Sequence, residues 1–88
     1  MQKRQFTIIN RLGLHARAAA LLVKTASRFS SEVTLHKEDV EVNGKSIMGI
    51  LLLAAPKGSE LMVVTDGTDE EQAMQEIGKL IEDGFGEE

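Results

Sequence analysis

Strand-like and helix-like segments alternate along this chain, and their order limits the folds that it can adopt. Period-two alternation or a short apolar run marks four segments, at residues 2–9, 32–37, 40–42 and 60–65. Three other segments have helical spacing and begin near Ala16, Ser46 and Thr68. The predicted order is β-α-β-β-α-β-α, and a chain of 88 residues holds one small hydrophobic core. We therefore expect a single domain over residues 1–88.

The order of these segments predicts an α+β fold in two layers. Each of the first two helices separates strands that would run parallel, which leaves room for an antiparallel strand between them. The inward positions of the first two strands are Phe6, Ile8, Val33 and Leu35. Both faces of segment 60–65 are apolar, so we expect it inside the sheet. Three helices would then cover one face of a four-stranded antiparallel sheet.

Local signals predict where the helices begin and end. The first helix is expected from Ala16 to the serines at 30–31. Ser46 has the right residue type and place for the N-cap of a short second helix. Thr68 and Glu71 fit a capping box at the start of the third. The apolar stripes of the first and third helices comprise Ala19, Leu22, Val23, Ala26 and Phe29, and Ala73, Ile77, Leu80 and Ile81.

The composition excludes several classes of function. A net charge of −4, with neither Trp nor Tyr, argues against a nucleic-acid binder. The chain has no cysteine, and two histidines far apart make a poor metal site, so we expect no metal and no cofactor. The longest apolar run, residues 47–55, is too short to span a bilayer, and no apolar signal segment precedes the first strand. We expect a cytoplasmic protein that does not bind membranes.

The strongest chemical signal lies where the first helix begins, at residues 13–17, Gly-Leu-His-Ala-Arg. A helix start presents N–H groups without an internal partner and a partial positive charge, so it attracts anions. Arg17 adds a permanent positive charge beside His15. These groups disfavour imidazolium, so we expect a neutral ring whose lone pair can attack a phosphoryl group. The alternative is a histidine that only caps the helix, and His36 is expected to be an ordinary exposed histidine.

Ser46 and the residues after it allow two interpretations. Ser46 is either a plain helix cap or an exposed phosphorylation site, because the helix dipole tolerates added negative charge. Ile47, Met48 and Leu51 either fill the core or form an exposed patch for a protein partner, with Met48 the outermost. The Gly-Lys-Ser at 44–46 is not a nucleotide-binding P-loop, because Asp39 stands where that motif requires glycine.

Two segments together resemble a known family. Residues 13–17 and residues 42–50, Val-Asn-Gly-Lys-Ser-Ile-Met-Gly-Ile, closely resemble the two signatures of the HPr family. Its members are the histidine-containing phosphocarriers of the bacterial phosphoenolpyruvate-dependent phosphotransferase system. The resemblance covers essentially the whole chain, including its length and the order of its elements. It implies an open-faced β-sandwich with the sheet order 1-4-2-3.

The resemblance also implies roles for individual residues. His15 would accept a phosphoryl group on Nδ1 from phospho-Enzyme I and pass it to a histidine or cysteine of an acceptor protein. Arg17, with the N–H groups of Ala16 and Arg17, would bind the phosphoryl oxygens. Ser46 matches the site that HPr kinase/phosphorylase modifies in many members for carbon regulation. Four positions match the surface on which Enzyme I and the acceptors dock: Ala20, Ile47, Met48 and Leu51.

One position departs from the family pattern, because Ala18 stands where proline is usual. Proline suits the first turn of a helix, so its absence removes preorganisation rather than a chemical group, and we expect the site to survive. Ala18 is similar to family members whose phosphotransfer chain is regulatory, and residues 43–45 and 52–55 are similar to the nitrogen-related branch of the family. We expect a monomer that serves as a protein substrate more than as an independent enzyme. The alternatives are a regulatory binding module controlled at Ser46, without transfer through His15, and a small-ligand sensor suggested by fold analogy alone.

Overall fold

A computed structural model describes residues 1–87, and its elements follow the order that the sequence predicts. The described residues form β1 (Gln2–Thr7), α1 (Ala16–Ala26), β2 (Glu32–Lys37), β3 (Val40–Asn43), α2 (Ile47–Leu52), β4 (Glu60–Asp66), α3 (Glu70–Glu82) and a left-handed turn (Gly84–Gly86). None of the helices in residues 1–87 is long and apolar enough to cross a lipid bilayer.

The strands form one antiparallel sheet in the order β1-β4-β2-β3, which confirms the predicted fold class. β4 pairs with β1 on one side and with β2 on the other, so that Val63 lies opposite both Arg4 and Leu35. β2 and β3 form the predicted hairpin. The interior position of β4 explains its two apolar faces, since Leu61 is fully buried and Val64 is half-buried.

The three helices cover one face of the sheet and enclose the core between the two layers. α1 packs against α2 and α3, and α3 also packs against β1 and β4. The core includes most of the predicted inward residues of the strands and helices, among them Phe6, Ile8, Leu22, Val33, Leu35, Ile77 and Ile81. Val23 and Leu80 are only partly buried against it, and Phe29 lies outside it because α1 ends before that residue. Polar and half-buried side chains occupy the other face of the sheet, so the fold is the open-faced sandwich that the resemblance implies.

The end of α1 differs from the prediction. The helix stops at Ala26 instead of reaching the serines at 30–31. The N–H groups of Arg28 and Phe29 bond to carbonyls three residues back, each at 3.2 Å, so the chain tightens into 3-10 geometry. Lys45 Nζ donates a hydrogen bond to the carbonyl of Phe29 at 2.7 Å. This long-range bond, which helical periodicity does not reveal, accompanies the early end of the helix.

The start of α3 also differs, because the predicted capping box does not form. α3 begins at Glu70, and Asp69 rather than Thr68 is its N-cap residue. The carboxylate of Asp69 accepts the N–H groups of Ser30 at 3.0 Å and Ser31 at 2.9 Å, together with both hydroxyls. These bonds, first that of the Ser31 hydroxyl, lower the pKa of Asp69 to about 2. The side chain therefore ties α3 to the loop before β2 instead of capping its own helix.

Candidate functional site

The loop before α1 is held in one conformation by hydrogen bonds and by a glycine. Asn10 Nδ2 donates to the carbonyl of Gly13 at 2.8 Å, and the N–H of Leu14 donates to the carbonyl of Ala55 at 2.9 Å. Gly13 has a φ of +68°, and a Cβ at this position would lie 2.5 Å from the carbonyl oxygen of Ala55. Only glycine lets the two segments approach this closely. The direction in which the chain enters His15 is thereby fixed.

His15 is the N-cap residue of α1, yet its side chain does not cap the helix. Its backbone is extended, with φ −79° and ψ −179°, and its carbonyl accepts the N–H of Ala19 at 2.8 Å. Its ring makes no capping bond and is 27% exposed. The first N–H groups of a helix have no partner within the helix, and Ala16 and Arg17 are exposed here. The helix start can therefore receive an anion beside the imidazole.

His15 and Arg17 line one cleft, as the sequence predicts. The other residues that line this cleft are Arg11, Leu12, Gly86 and Glu87. Arg17 is exposed, and its charge contributes to lowering the pKa of Glu87. Arg11 adds a second guanidinium group that the sequence analysis did not assign to the site. The cleft therefore places an imidazole ring beside fixed positive charge, an arrangement that can bind an anionic group.

Glu87 is a site residue that the sequence analysis missed. Its carboxylate forms a hydrogen bond with His15 Nε2 and accepts another from Asn10 Nδ2 at 3.0 Å. The hydrogen bond from Asn10 and then that from His15 lower the pKa of Glu87, so the carboxylate is ionised at neutral pH. An ionised carboxylate can only accept, so His15 Nε2 carries the proton of this bond.

The turn after α3 brings Glu87 to the site. Gly84, Phe85 and Gly86 have φ values of +63°, +58° and +74°, so the chain turns back onto the body of the protein. Phe85 is 3% exposed and belongs to the core, and this burial offsets the cost of its left-handed backbone. An aromatic residue between two glycines, directly after an amphipathic helix, is a signal that could have indicated an anchored turn. The glutamates that follow it look like ordinary surface charge.

Ser46 caps α2 as the sequence predicts. Its Oγ accepts the N–H of Gly49 at 3.0 Å, and the side chain is half-buried. The side chain of the neighbouring Lys45 does not bond to Ser46, because its Nζ donates to the carbonyl of Phe29. α2 packs against α1, so the two predicted sites lie on adjoining helices.

α2 presents apolar side chains to solvent. Ile47 is 42% exposed, Met48 72% and Leu51 37%, whereas Ile50 is buried in the core. Met48 is more exposed than the other two, as expected. Leu52, which the sequence analysis did not include, is 73% exposed. Ala20 is exposed on α1. Ile47, Met48, Leu51 and Leu52 give α2 an apolar surface, and Ala20 lies on α1, the helix against which α2 packs.

His36 lines a different cleft, on the uncovered face of the sheet. Its Nδ1 lies 3.8 Å from Glu41 Oε1. It is half-buried rather than fully exposed, because Glu41 and Met62 are its partners on the two neighbouring strands. Within residues 1–87, no group of three or more His, Asp and Glu side chains is placed to hold a metal ion.

The whole chain is similar to known phosphocarrier proteins. The family model described as "PTS HPr component phosphorylation site" matches residues 2–83. The phosphocarrier protein HPr of Neisseria meningitidis serogroup A is 53% identical over 87 residues, which cover 99% of this chain and 98% of that protein. The crystal structure of HPr-C-His from Thermoanaerobacter tengcongensis has a TM-score of 0.97 at 46% identity and covers 100% of this chain and 99% of that chain. A structure of an HPr dimer from the same organism has a TM-score of 0.80 at 46% identity, with 99% and 100% covered.

Proposed function

The chain belongs to the HPr family of phosphocarrier proteins, and from this premise we propose that His15 is the residue that carries the phosphoryl group. The family works in the phosphotransferase system, where its partners include Enzyme I and the sugar-specific components. One observation carries the assignment of His15. Its ring lies at the uncapped start of α1, in a cleft that it shares with Arg17.

The ring of His15 supplies the nucleophile, and its surroundings supply the charge. A ring nitrogen attacks phosphorus with its lone pair while the bond between phosphorus and the donor breaks. Phosphoryl transfer requires little covalent chemistry from the protein. Positioning and electrostatic stabilisation therefore provide most of the rate enhancement. Arg17 and the N–H groups of Ala16 and Arg17 bind the phosphoryl oxygens in this proposal. Ala18 is fully buried and provides no bonding side chain, so its difference from proline leaves this chemistry intact.

Labelling with phosphoenolpyruvate and Enzyme I tests this assignment. Wild-type protein should acquire an acid-labile phosphate, and His15→Ala should abolish it. His36→Ala is the matched control, since it removes the chain's other histidine from a different cleft, and it should retain the label. Equal labelling of His15→Ala and wild type would contradict the assignment. Absence of label from the wild type would favour the alternative, a regulatory module without transfer through His15.

We further propose that Ser46 is a regulatory phosphorylation site for an HPr kinase/phosphorylase. Ser46 is half-buried at the start of α2, and its Oγ accepts the N–H of Gly49. The O–H of Ser46 is not used in this bond. A phosphate there would lie at the positive end of α2 and next to the apolar surface of that helix. Incubation with the kinase and ATP should give an acid-stable label on the wild type and on the control Ser59→Ala, but none on Ser46→Ala. Undiminished label on Ser46→Ala would contradict this role.

Ala20, Ile47, Met48 and Leu51 are proposed as the docking surface for Enzyme I and the acceptors. Support comes from their exposure on the adjoining helices α1 and α2. Met48→Asp places a charge where an apolar contact is expected, so the KM for this protein as the substrate of Enzyme I should rise about tenfold with the fold intact. Val40→Asp, an exposed apolar residue on β3, is the control and should leave the KM unchanged. Equal KM values for Met48→Asp and Val40→Asp would contradict a docking surface at Met48.

We also propose that the protein acts as a monomer. The apolar surface is then free to receive successive partners, although one similar structure is an HPr dimer. Size-exclusion chromatography with light scattering should give the monomer mass over a range of concentrations, and a constant dimer mass would contradict it. A cytoplasmic location, a single domain and membership of the nitrogen-related branch stay predictions.

A further inference from the structure

Glu87 has no role in the function proposed above, although its carboxylate contacts the ring of His15. We propose that Glu87 is a positioning residue for phosphoryl transfer: it holds the proton of His15 on Nε2 and thereby leaves Nδ1 as the nitrogen that bonds phosphorus. This inference rests on the proposed role of His15 as the phosphoryl carrier. It deepens that role by naming the group that orients the ring.

The position of Glu87 is built into the fold rather than left to a free side chain. Oε1 of Glu87 accepts a hydrogen bond from Asn10 Nδ2 at 3.0 Å, and Oε2 forms a hydrogen bond with His15 Nε2. Asn10 is buried and is itself fixed to the loop by its bond to Gly13. Phe85 anchors the turn in the core just before Glu87. The carboxylate is thus held from both sides, and the ring cannot rotate without breaking its bond to it.

The carboxylate of Glu87 has a second role when a bond forms at His15 Nδ1. When the lone pair of Nδ1 forms the P–N bond, the bond from phosphorus to the donor breaks and its electron pair leaves with the donor. The His15 ring, which still carries a proton on Nε2, then becomes cationic. Glu87 neutralises that charge across the hydrogen bond, as a carboxylate does for the histidine of a Ser-His-Asp triad. In delivery, the P–N bond breaks, its electron pair returns to Nδ1, and the Nε2 proton stays in place throughout.

A carboxylate in the cleft could instead obstruct the site by repelling the phosphoryl group. The two roles predict opposite effects of its removal. A positioning residue accelerates transfer, so its loss should slow the reaction. An obstructing residue retards transfer, so its loss should speed the reaction. Arg11 and Arg17 line the same cleft, and the charge of Arg17 acts on Glu87 in the direction that stabilises its ionised form, which favours the positioning role.

Nitrogen-15 NMR of the histidine rings tests the proton position directly. In the wild type, the neutral form of His15 should be protonated mainly on Nε2. In Glu87→Ala the population protonated on Nδ1 should rise several-fold. Glu87→Gln keeps an acceptor oxygen without the charge, so it should largely retain the Nε2 proton. Glu82→Gln is the matched control, because Glu82 is an exposed carboxylate at the end of α3 whose partner is Arg4, at 3.5 Å.

Single-turnover transfer from phospho-Enzyme I completes the test. Both Glu87 variants should slow the transfer step, Glu87→Ala by about tenfold, by analogy with the loss seen when the hydrogen-bond partner of a metal-binding histidine is removed. The KM of both Glu87 variants as substrates of Enzyme I should equal that of the wild type. The control Glu82→Gln should transfer the phosphoryl group at the wild-type rate. An unchanged proton position in Glu87→Ala, or faster transfer by either Glu87 variant, would overturn the proposal. Absence of label from wild-type His15 would instead contradict the proposed carrier function. The role of Glu87 in transfer would then fail as well.

Discussion

The starts of α1 and α2 lie on adjoining helices, and their N-cap side chains are used differently. Ser46 turns its oxygen towards its own helix and accepts the N–H of Gly49 at 3.0 Å. His15 has a similarly extended backbone, but its ring turns away from its helix and bonds to Glu87. The first arrangement stabilises a helix of six residues. The second leaves the N–H groups of α1 available for an anion, which is a phosphoryl group in the proposed function, and lacks the stability that a side-chain cap would add.

Arg17→Ala should have the largest effect, because it removes charge from the open helix start. We expect phosphoryl transfer to fall by roughly 10²–10³-fold, as when a donor to a developing negative charge is lost. The melting temperature should stay close to that of the wild type, since Arg17 is exposed. Lys24→Ala, an exposed cation at the other end of α1, is the control and should keep its rate. A large drop in the melting temperature of Arg17→Ala would show a structural role instead.

Gly13→Ala tests how tightly the loop holds the start of α1. A methyl group at Gly13 would meet the Ala55 carbonyl oxygen at 2.5 Å in a left-handed backbone, so the free energy of unfolding should fall by about 2 kcal/mol. Gly49→Ala is the control within α2, where the new Cβ would lie 3.3 Å from the Ser46 Oγ. Gly49→Ala should stay within about 1 kcal/mol of the wild type in urea unfolding. Equal losses in both variants would contradict the fixed geometry of the loop.

Ser46→Ala tests the capped helix start. Removing the oxygen that accepts the Gly49 N–H should lower the free energy of unfolding by roughly 1 kcal/mol in urea denaturation. Labelling of His15 by Enzyme I should persist, because the cap supports α2 and not the ring. Loss of that label without loss of stability would mean that Ser46 belongs to the transfer site.

The start of α3 offers a third case, in which the N-cap carboxylate of Asp69 serves a distant loop. The pKa of Asp69 is lowered to about 2, so its contribution to stability is present above the unfolded-state value of 3.8 and is lost as pH falls towards 2. The free energy of unfolding of the wild type should therefore decline over that interval. Asp69→Asn should lower stability at neutral pH and flatten this decline. An equally steep decline in Asp69→Asn would assign the acid sensitivity to other groups.

The features that the sequence predicted are the local ones. His15, Arg17 and Ser46 are placed by the helices that begin beside them, and the two apolar faces of β4 predicted its place inside the sheet. The missed features depend on contacts between distant parts of the chain. Glu87 reaches His15 across 72 positions, and Asp69 reaches Ser31 across 38, so short-range periodicity carries no trace of either bond. The side chain of Asp69 was available to cap its own helix, and tertiary contact redirected it.

His15→Ser tests the central claim, that the start of α1 gives up stability for chemistry. The substitution places at His15 the same residue that caps α2, in a backbone that already suits a cap. We expect the free energy of unfolding in urea to rise by roughly 1 kcal/mol, and the acid-labile phosphate from Enzyme I to disappear. Loss of both stability and label would show that the ring of His15 supports the fold, and retention of the label would show that His15 does not carry the phosphoryl group.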